Sequence, residues 1–119
     1  MPVTAFEKGL QGQKAAETFL RSKGYTILER NYRIRSGEID IIAAQDTYVV
    51  FIEVKTRNSL TYGYPCEAVN HKKQQKIINT AHHYIATKIC ADGDFRFDVV
   101  EVLWQNGQTY VKHIMDAFS

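Results

Sequence analysis

Residues 37–55 read Gly-Glu-Ile-Asp-Ile-Ile-Ala-Ala-Gln-Asp-Thr-Tyr-Val-Val-Phe-Ile-Glu-Val-Lys. Glu38 to Ala44 and Tyr48 to Lys55 are rich in Ile, Val, Phe and Tyr, and Gln45-Asp46-Thr47 separates them. Two antiparallel strands joined by a tight turn are the natural reading. With the turn centred between Asp46 and Thr47, Ala44 faces Val49, Ile42 faces Phe51, and Asp40 faces Glu53. Side chains directly opposite each other have Cβ atoms about 4.5–5.5 Å apart, close enough to share one cation. Thr47 suits the positive φ of a two-residue turn poorly, and a four-residue loop from Gln45 to Tyr48 keeps the same pairing. A slip of one residue would put the two carboxylates on opposite faces.

Alternation puts Ile39, Ile41, Ala43, Val50, Ile52 and Val54 on one face of this hairpin. Ile42, Val49 and Phe51 fall on the other before the charges begin. Strands apolar on both faces are central strands, with layers packed on both sides. Asp40, Glu53 and Lys55 then emerge at one edge of a buried sheet, where clefts form. Two carboxylates brought together repel, so one takes up a proton or both hold a cation. Lys55, two residues after Glu53, shares its strand face. A structural salt bridge is the plainer alternative. Yet one lysine does not neutralise two carboxylates, and a buried ion pair adds little stability. Asp40, Glu53 and Lys55 are the minimum apparatus for metal-assisted attack on a phosphodiester. Glu38 shares the Asp40 face and reads as a solvated hairpin end, and Gly37 serves the turn.

The rest of the chain frames this hairpin. A length of 119 residues fits one domain, 1–119. Hydrophobic content of 45% with 2 prolines points to an ordered globule. A net charge of +2 permits nucleic acid as a partner without demanding it. Cys66 and Cys90 lack metal-site spacing and read as reduced cytosolic thiols. The first residues carry no signal-peptide pattern and no apolar run approaches membrane-spanning length, so a cytoplasmic protein with no membrane partner is expected. Thr4 and Glu7 form a capping box opening a helix to about Lys23, with Gly24 as its stop. Phe6, Leu10 and Leu20 cluster on one face of that helix, and Gln13 and Glu17 share the arc. Tyr25 to Ile34 reads as a strand turning at Arg35-Ser36-Gly37, and Asn58 to Pro65 as a loop. A second helix runs from Asn70 as N-cap to about Ile89, burying Ile77, Ile78, Ala81, Ile85 and Ile89. Phe95 to Leu103 and Thr109 to His113 read as strands around an Asn106-Gly107 turn, with Ile114 to Phe118 a short turn of helix. This order predicts an α/β domain with a mixed sheet covered on both sides.

Basic residues form two groups. Lys72, Lys73 and Lys76 crowd the first turns of the second helix, where cations oppose the helix dipole and a docked anion would reverse the sign. Arg30, Arg33 and Arg35 lie beside the hairpin turn, and Arg57 falls on the Glu53 and Lys55 face. Together these side chains suit a phosphate backbone, with binding that weakens steeply in salt. Asp98 follows Phe97 in a buried-looking strand and reads as a structural acid bonded to local backbone. His82 and His83 are adjacent on a helix and point apart, so they do not make a metal pair. Tyr62, Tyr64 and Pro65 follow the site in sequence; stacking on bases is one reading of them, and loop packing is the default. No Ser or Cys has an evident base partner, which argues against nucleophilic catalysis.

Gly37-Glu38-Ile39-Asp40-Ile41-Ile42, Phe51-Ile52-Glu53-Val54-Lys55-Thr56-Arg57 and Arg96-Phe97-Asp98-Val99-Val100 resemble the YraN family of small bacterial nuclease-like proteins. Gly24-Tyr25, Arg30-Asn31-Tyr32-Arg33 and Ala68-Val69 extend the resemblance to roughly Gly9 through Phe118. It implies a restriction-endonuclease-like fold, similar to Holliday-junction resolvases, with a mixed central sheet flanked by helices on both faces. It also implies a metal-dependent endonuclease acting on DNA in preference to RNA, with branched or junction DNA among the substrates. Asp40 and Glu53 would hold Mg²⁺ (or Mn²⁺), helped by the Val54 carbonyl and by Gln13 or Glu17 through water, while Lys55 orients the attacking water. Resolvase-like relatives act as dimers, which leaves a homodimer open. One departure stands out. Such folds commonly carry a glutamate on the first helix where this chain has Gln13. An amide oxygen still coordinates a cation but brings no charge, and Glu17 lies one turn later. The rival expectation is a catalytically inactive nucleic-acid-binding module on a nuclease scaffold.

Overall fold

The computed structural model describes residues 5–57, 69–88 and 93–119. The cap at Thr4, the loop from Asn58 to Pro65 with Tyr62 and Tyr64, and Cys66, Ile89 and Cys90 lie outside the described residues. Helix α1 (Ala5–Ser22) precedes strands β1 (Thr26–Ile34), β2 (Gly37–Gln45) and β3 (Tyr48–Arg57). Helix α2 (His71–Lys88), β4 (Asp94–Gln105) and β5 (Gln108–Phe118) follow. The strands form one sheet in chain order. Neighbours are antiparallel except β3 and β4. A parallel pair needs a long crossover, and α2 lies in it.

Two core clusters cover the two faces of the sheet. Ala16 and Leu20 of α1 pack with Ile41, Ala43, Val50, Ile52, Val100 and Val102. Ile77, Ala81 and Tyr84 of α2 pack with Ile39, Ile42, Phe51, Val99 and Phe118. The expected α/β class, a mixed sheet between helices, is therefore what forms. Ile39 corrects the expected face pattern, since it joins the α2 cluster while Ile41 joins that of α1. Strand alternation breaks at the residue between them, Asp40. Across from it, Asn31 takes φ +51, and the β1–β2 register resumes only at Tyr32 with Ile39. Asn tolerates this left-handed conformation better than most residues.

The helix ends follow local rules. Gly24 (φ +91) closes α1, its N–H bonding the Arg21 carbonyl while the Tyr25 N–H reaches that of Leu20. Asn70 caps α2, its Oδ1 accepting from the Lys73 N–H at 2.9 Å. The buried faces differ in part from expectation. Leu10 is 45% exposed. It overhangs a cleft beyond the packed part of the sheet. On α2, Thr80 and Tyr84 are buried with Ile77 and Ala81, while Ile78 and Ile85 are only partly covered. Thr80 is small enough to approach the sheet closely, and it satisfies its hydroxyl on the Lys76 carbonyl at 2.7 Å. Gly37 faces that contact directly. A Cβ there would strike Thr80 Oγ1, so glycine permits the helix to seat; Gly37 is the first residue of β2, not the turn residue expected.

Residues 114–118 are strand, not the expected helical turn. Ile114 pairs with Val99 and Phe118 with Phe97, with an irregularity between them. The Phe97 and Phe118 rings stack at 5.3 Å, and that apolar pairing holds the extended form. Asp116 takes φ +53 within the irregularity, and its N–H donates to Asp98.

Asp98 is fully buried. Arg96 donates to both its oxygens at 2.9 Å, and His113 Nε2 lies 2.6 Å from Oδ2. Arg96 also donates to the Tyr25 hydroxyl at 2.6 Å. The acid read as bonded to local backbone is thus the centre of a side-chain latch joining β4, β5 and Tyr25, in the link between α1 and β1.

Candidate functional site

The β2–β3 ladder runs from Gln45–Tyr48 through Ala44–Val49 and Ile42–Phe51 to Ile41–Ile52. The turn holds two residues, and the positive φ falls on Asp46 (+53), not on Thr47. The ladder stops one step before Asp40 and Glu53. There Asp40 Oδ2 accepts the Val54 N–H at 2.8 Å, a side chain in place of a strand partner. This bond fixes the Asp40 carboxylate against the end of β3.

Glu53 points to the α2 face with Phe51, following strand alternation, and is 6% exposed. Asp40 and Glu53 together line a cleft of about 180 Å³ with Gly37, Glu38, Lys73, Lys76 and Ile77. Burial, then the Asp40 charge and a hydrogen bond with Asp40, push the Glu53 carboxyl up to about 8. Lys73 and Lys55 pull it back without prevailing. Two carboxyl groups in hydrogen-bond contact need a proton between them unless a cation replaces it.

Lys73 Nζ stands 3.4 Å from Glu53 Oε1. Burial works against the Lys73 ammonium, but Glu53 and a hydrogen bond with Lys55 raise it above the ordinary lysine value. Lys55 goes the other way, lowered by burial first and by the Lys73 charge second. The centre is thus two acids and two lysines. From sequence Lys73 reads only as one of the surface basic residues, because helix phase does not reveal which strand end a helix will cross.

Asp40 also lines a second cleft of about 250 Å³, with Gly9, Leu10, Gln13, Asn31, Val54 and Thr56. Here Gln13 is brought to the same neighbourhood as Asp40. Gln13 and Asn31 exchange amide hydrogen bonds at 3.0 and 3.2 Å. Asn31 Nδ2 also reaches Glu38 Oε1 at 3.2 Å, and Arg33 donates to Glu38 Oε2 at 3.1 Å. Glu38 is therefore tied into the site wall, a departure from the solvated hairpin end. Asn31 was missed as a wall residue; its place depends on the left-handed turn of β1.

Glu17 is not brought to the acidic pair. Its Oε1 accepts from Arg30 Nε at 2.9 Å, with Arg21 at 3.6 Å. Both Glu17 and Arg30 are consumed in that ion pair on the α1 face. Arg35 is exposed at the β1–β2 turn, Lys72 and Lys76 are exposed on α2, and Arg57 is half-buried at the end of β3. A further buried acid, Glu101, stands beside Lys55 in the parallel register. Among the described residues its Oε1 has no hydrogen-bond partner, and burial raises its carboxyl against the pull of Lys112 and Arg57.

The donor set suits a hard divalent cation. Mg²⁺ is commonly held by one or two carboxylates, with waters and substrate phosphates completing the shell. Among the described residues no group of three or more His, Cys, Asp or Glu side chains is placed to hold one ion. Asp40 and Glu53 are the adjacent acidic pair in this cleft, with Glu38 on its wall. No described helix is long and apolar enough to cross a membrane.

Residues 12–102 match the model of the uncharacterised protein family UPF0102, a span that holds Gln13, Asp40, Glu53, Lys55 and Lys73 together. The chain is 53% identical over 112 residues to a UPF0102 protein of Clostridium acetobutylicum, covering 92% of each. It is 47% identical over 112 residues to one of Clostridioides difficile, covering 94% of this chain and 96% of the relative. One from Alkaliphilus metalliredigens is 53% identical over 95 residues, 80% of this chain and 83% of its own. With matches over nearly the whole length of both partners, this chain belongs to the UPF0102 family.

Proposed function

We propose that this protein is a metal-dependent endonuclease that hydrolyses phosphodiester bonds in DNA, branched DNA included, on a restriction-endonuclease-like scaffold of the YraN type. One observation carries the reading: Asp40 and Glu53 are adjacent carboxyls at the open end of a buried hairpin, with Lys55 and Lys73 beside them. Such a pair is electrostatically incomplete without a proton or a cation. Asp40 and Glu53, with the Val54 carbonyl, would hold Mg²⁺ (or Mn²⁺), and Gln13 would join through water. The bound ion supplies Lewis acidity toward a phosphoryl oxygen and toward water. Asp40 is preset by the Val54 N–H, so no reorientation is required of it. Lys55 orients the attacking water and balances charge developing on the phosphate. Lys72, Lys76, Arg33 and Arg35 give the DNA backbone cationic anchors around the cleft. A cytoplasmic setting and a homodimer, which would cut two strands, accord with this reading.

The test is cleavage of single-stranded, duplex and four-way-junction DNA by purified protein with Mg²⁺ or Mn²⁺. Asp40→Asn and Lys55→Ala are expected to lose about 10²–10³-fold or more in rate with an unchanged circular dichroism spectrum. Wild-type rates in both variants would refute the assignment.

One observation favours a second reading, a DNA-binding module that has lost turnover. Gln13 is engaged with Asn31, and among the described residues no third acid joins Asp40 and Glu53 in a metal-holding group. This reading predicts salt-sensitive DNA retention without products, and cleavage that emerges only in Gln13→Glu.

A further inference from the structure

We propose that Lys73 is a resident cation that holds the place of the divalent ion, and that metal binding releases it to grip the substrate phosphate. The inference rests on the metal reading above and adds to it an order of binding, metal before DNA. Lys73 Nζ is 3.4 Å from Glu53 Oε1. Its side chain is 43% exposed, while that of Glu53 is 7% exposed. The acid is fixed and the cation is free to swing on a flexible four-carbon stem.

Charge counting gives the reason for exchange. With a divalent ion in place of the shared proton, Asp40 and Glu53 are both carboxylates, and together with Lys55 and Lys73 as ammonium groups these side chains sum to zero. A divalent ion placed among them leaves two uncompensated positive charges in a cleft of about 180 Å³. The arrangement relaxes when Lys73, the ion paired to Glu53, moves outward and a phosphodiester enters. Lys76, one helical turn on, lines the same cleft and is exposed. A released Lys73 therefore stands next to a second cation, and the two can straddle one phosphate. Asn70 fixes where this begins, since its side chain caps the N–H of Lys73 itself.

The experiment compares wild type, Lys73→Met and Lys76→Met. Isothermal titration with Mn²⁺ alone reads the exchange. Lys73→Met is expected to bind Mn²⁺ about three- to tenfold more tightly than wild type, the worth of a partly exposed ion pair. Lys76→Met removes the same charge from the same cleft but breaks no pair with Glu53, and its Mn²⁺ affinity is expected to stay within twofold of wild type, the order of a lost unpaired surface charge. Fluorescence anisotropy of a labelled four-way DNA junction, in EDTA and in Ca²⁺, reads the release. Wild type is expected to gain affinity in Ca²⁺, and Lys73→Met to lose most of that gain while matching wild type in EDTA. Weaker or unchanged Mn²⁺ binding by Lys73→Met overturns the proposal. Equal tightening in Lys76→Met overturns it too, because bulk electrostatics then suffices. Lost DNA affinity in EDTA as well as Ca²⁺ would make Lys73 an ordinary phosphate contact. Should wild type bind no Mn²⁺, the metal reading itself falls; should it bind while Lys73→Met behaves otherwise than stated, only the exchange falls.

Discussion

Asp98 and Glu53 are both buried carboxylic acids on neighbouring parallel strands, and their surroundings treat them in opposite ways. Burial raises the Asp98 carboxyl, but bonds from His113, Arg96 and the Asp116 N–H prevail and hold it below the ordinary carboxylate value. Burial raises Glu53 as well, and the Asp40 charge beside it adds to the rise, so it is driven up to about 8. Asp98 points to the α1 side, into a region sealed by Tyr25, Phe19 and His113. Glu53 points to the α2 side, into an open cleft. The difference separates structure from function: the saturated acid is a latch, and the unsaturated one keeps capacity for a ligand.

The largest effect is expected from breaking the latch. Asp98→Ala strands Arg96 and His113 in a dry interior, and removing one partner of a buried pair costs about 3–5 kcal/mol. Urea denaturation should show this as a lowered midpoint. A loss under 1 kcal/mol would mean the two acids differ less than their partners indicate.

The opposite sign is expected at the other acid. Glu53→Gln removes the carboxyl repulsion with Asp40 and should stabilise the metal-free protein at pH 8 by about 1–2 kcal/mol, while weakening metal binding. The sign follows from linkage. A carboxyl whose folded pKa is raised from 4.5 to about 8 favours folding at low pH and loses that contribution as pH climbs through this window. Thermal unfolding from pH 5 to 8 should therefore show a decline in wild type that the variant flattens.

Asp98 gives the mirror image in acid. With its folded pKa depressed below 3.8, its contribution is complete above that value and drains away as pH falls through the depressed one. Wild-type melting temperature should drop steeply below about pH 4. Asp98→Asn should lose much of that slope while starting from lower stability.

The smallest effect concerns the helix that carries Lys73. Asn70→Ala removes an N-cap, for about 1 kcal/mol. Because the cap bonds the Lys73 N–H, the variant should also disturb the Lys73–Glu53 pair, read as a changed pH dependence of Glu53 in carboxyl NMR. Unaltered titration would separate the helix start from the site.

Much of this arrangement was legible in local patterns. The two apolar runs and the polar gap at Gln45-Asp46-Thr47 specified the hairpin, and with it the register that brings Asp40 beside Glu53. Gly24 and Asn70 marked helix ends through backbone chemistry that needs no tertiary partner. Ile114 to Phe118 misled because five residues carry too little periodicity to tell strand from helix; pairing of Phe118 with Phe97 decided it. Glu17 and Gln13 looked equivalent on a helical wheel, one turn apart. A wheel does not say that Arg30 will meet one and Asn31 the other.

The chain itself determined its elements, its two-sided core and the convergence of two acids with Lys55, because alternation and turn chemistry act between residues close in sequence. Only the folded molecule decided which acids would be satisfied. Arg96 of β4 and His113 and Asp116 of β5 converge on Asp98, whereas Lys73 arrives at Glu53 on a helix from 20 residues further along. Burial and charge are properties of the assembled surroundings, so the split between a closed latch and an open site exists only once the sheet and both helices have packed.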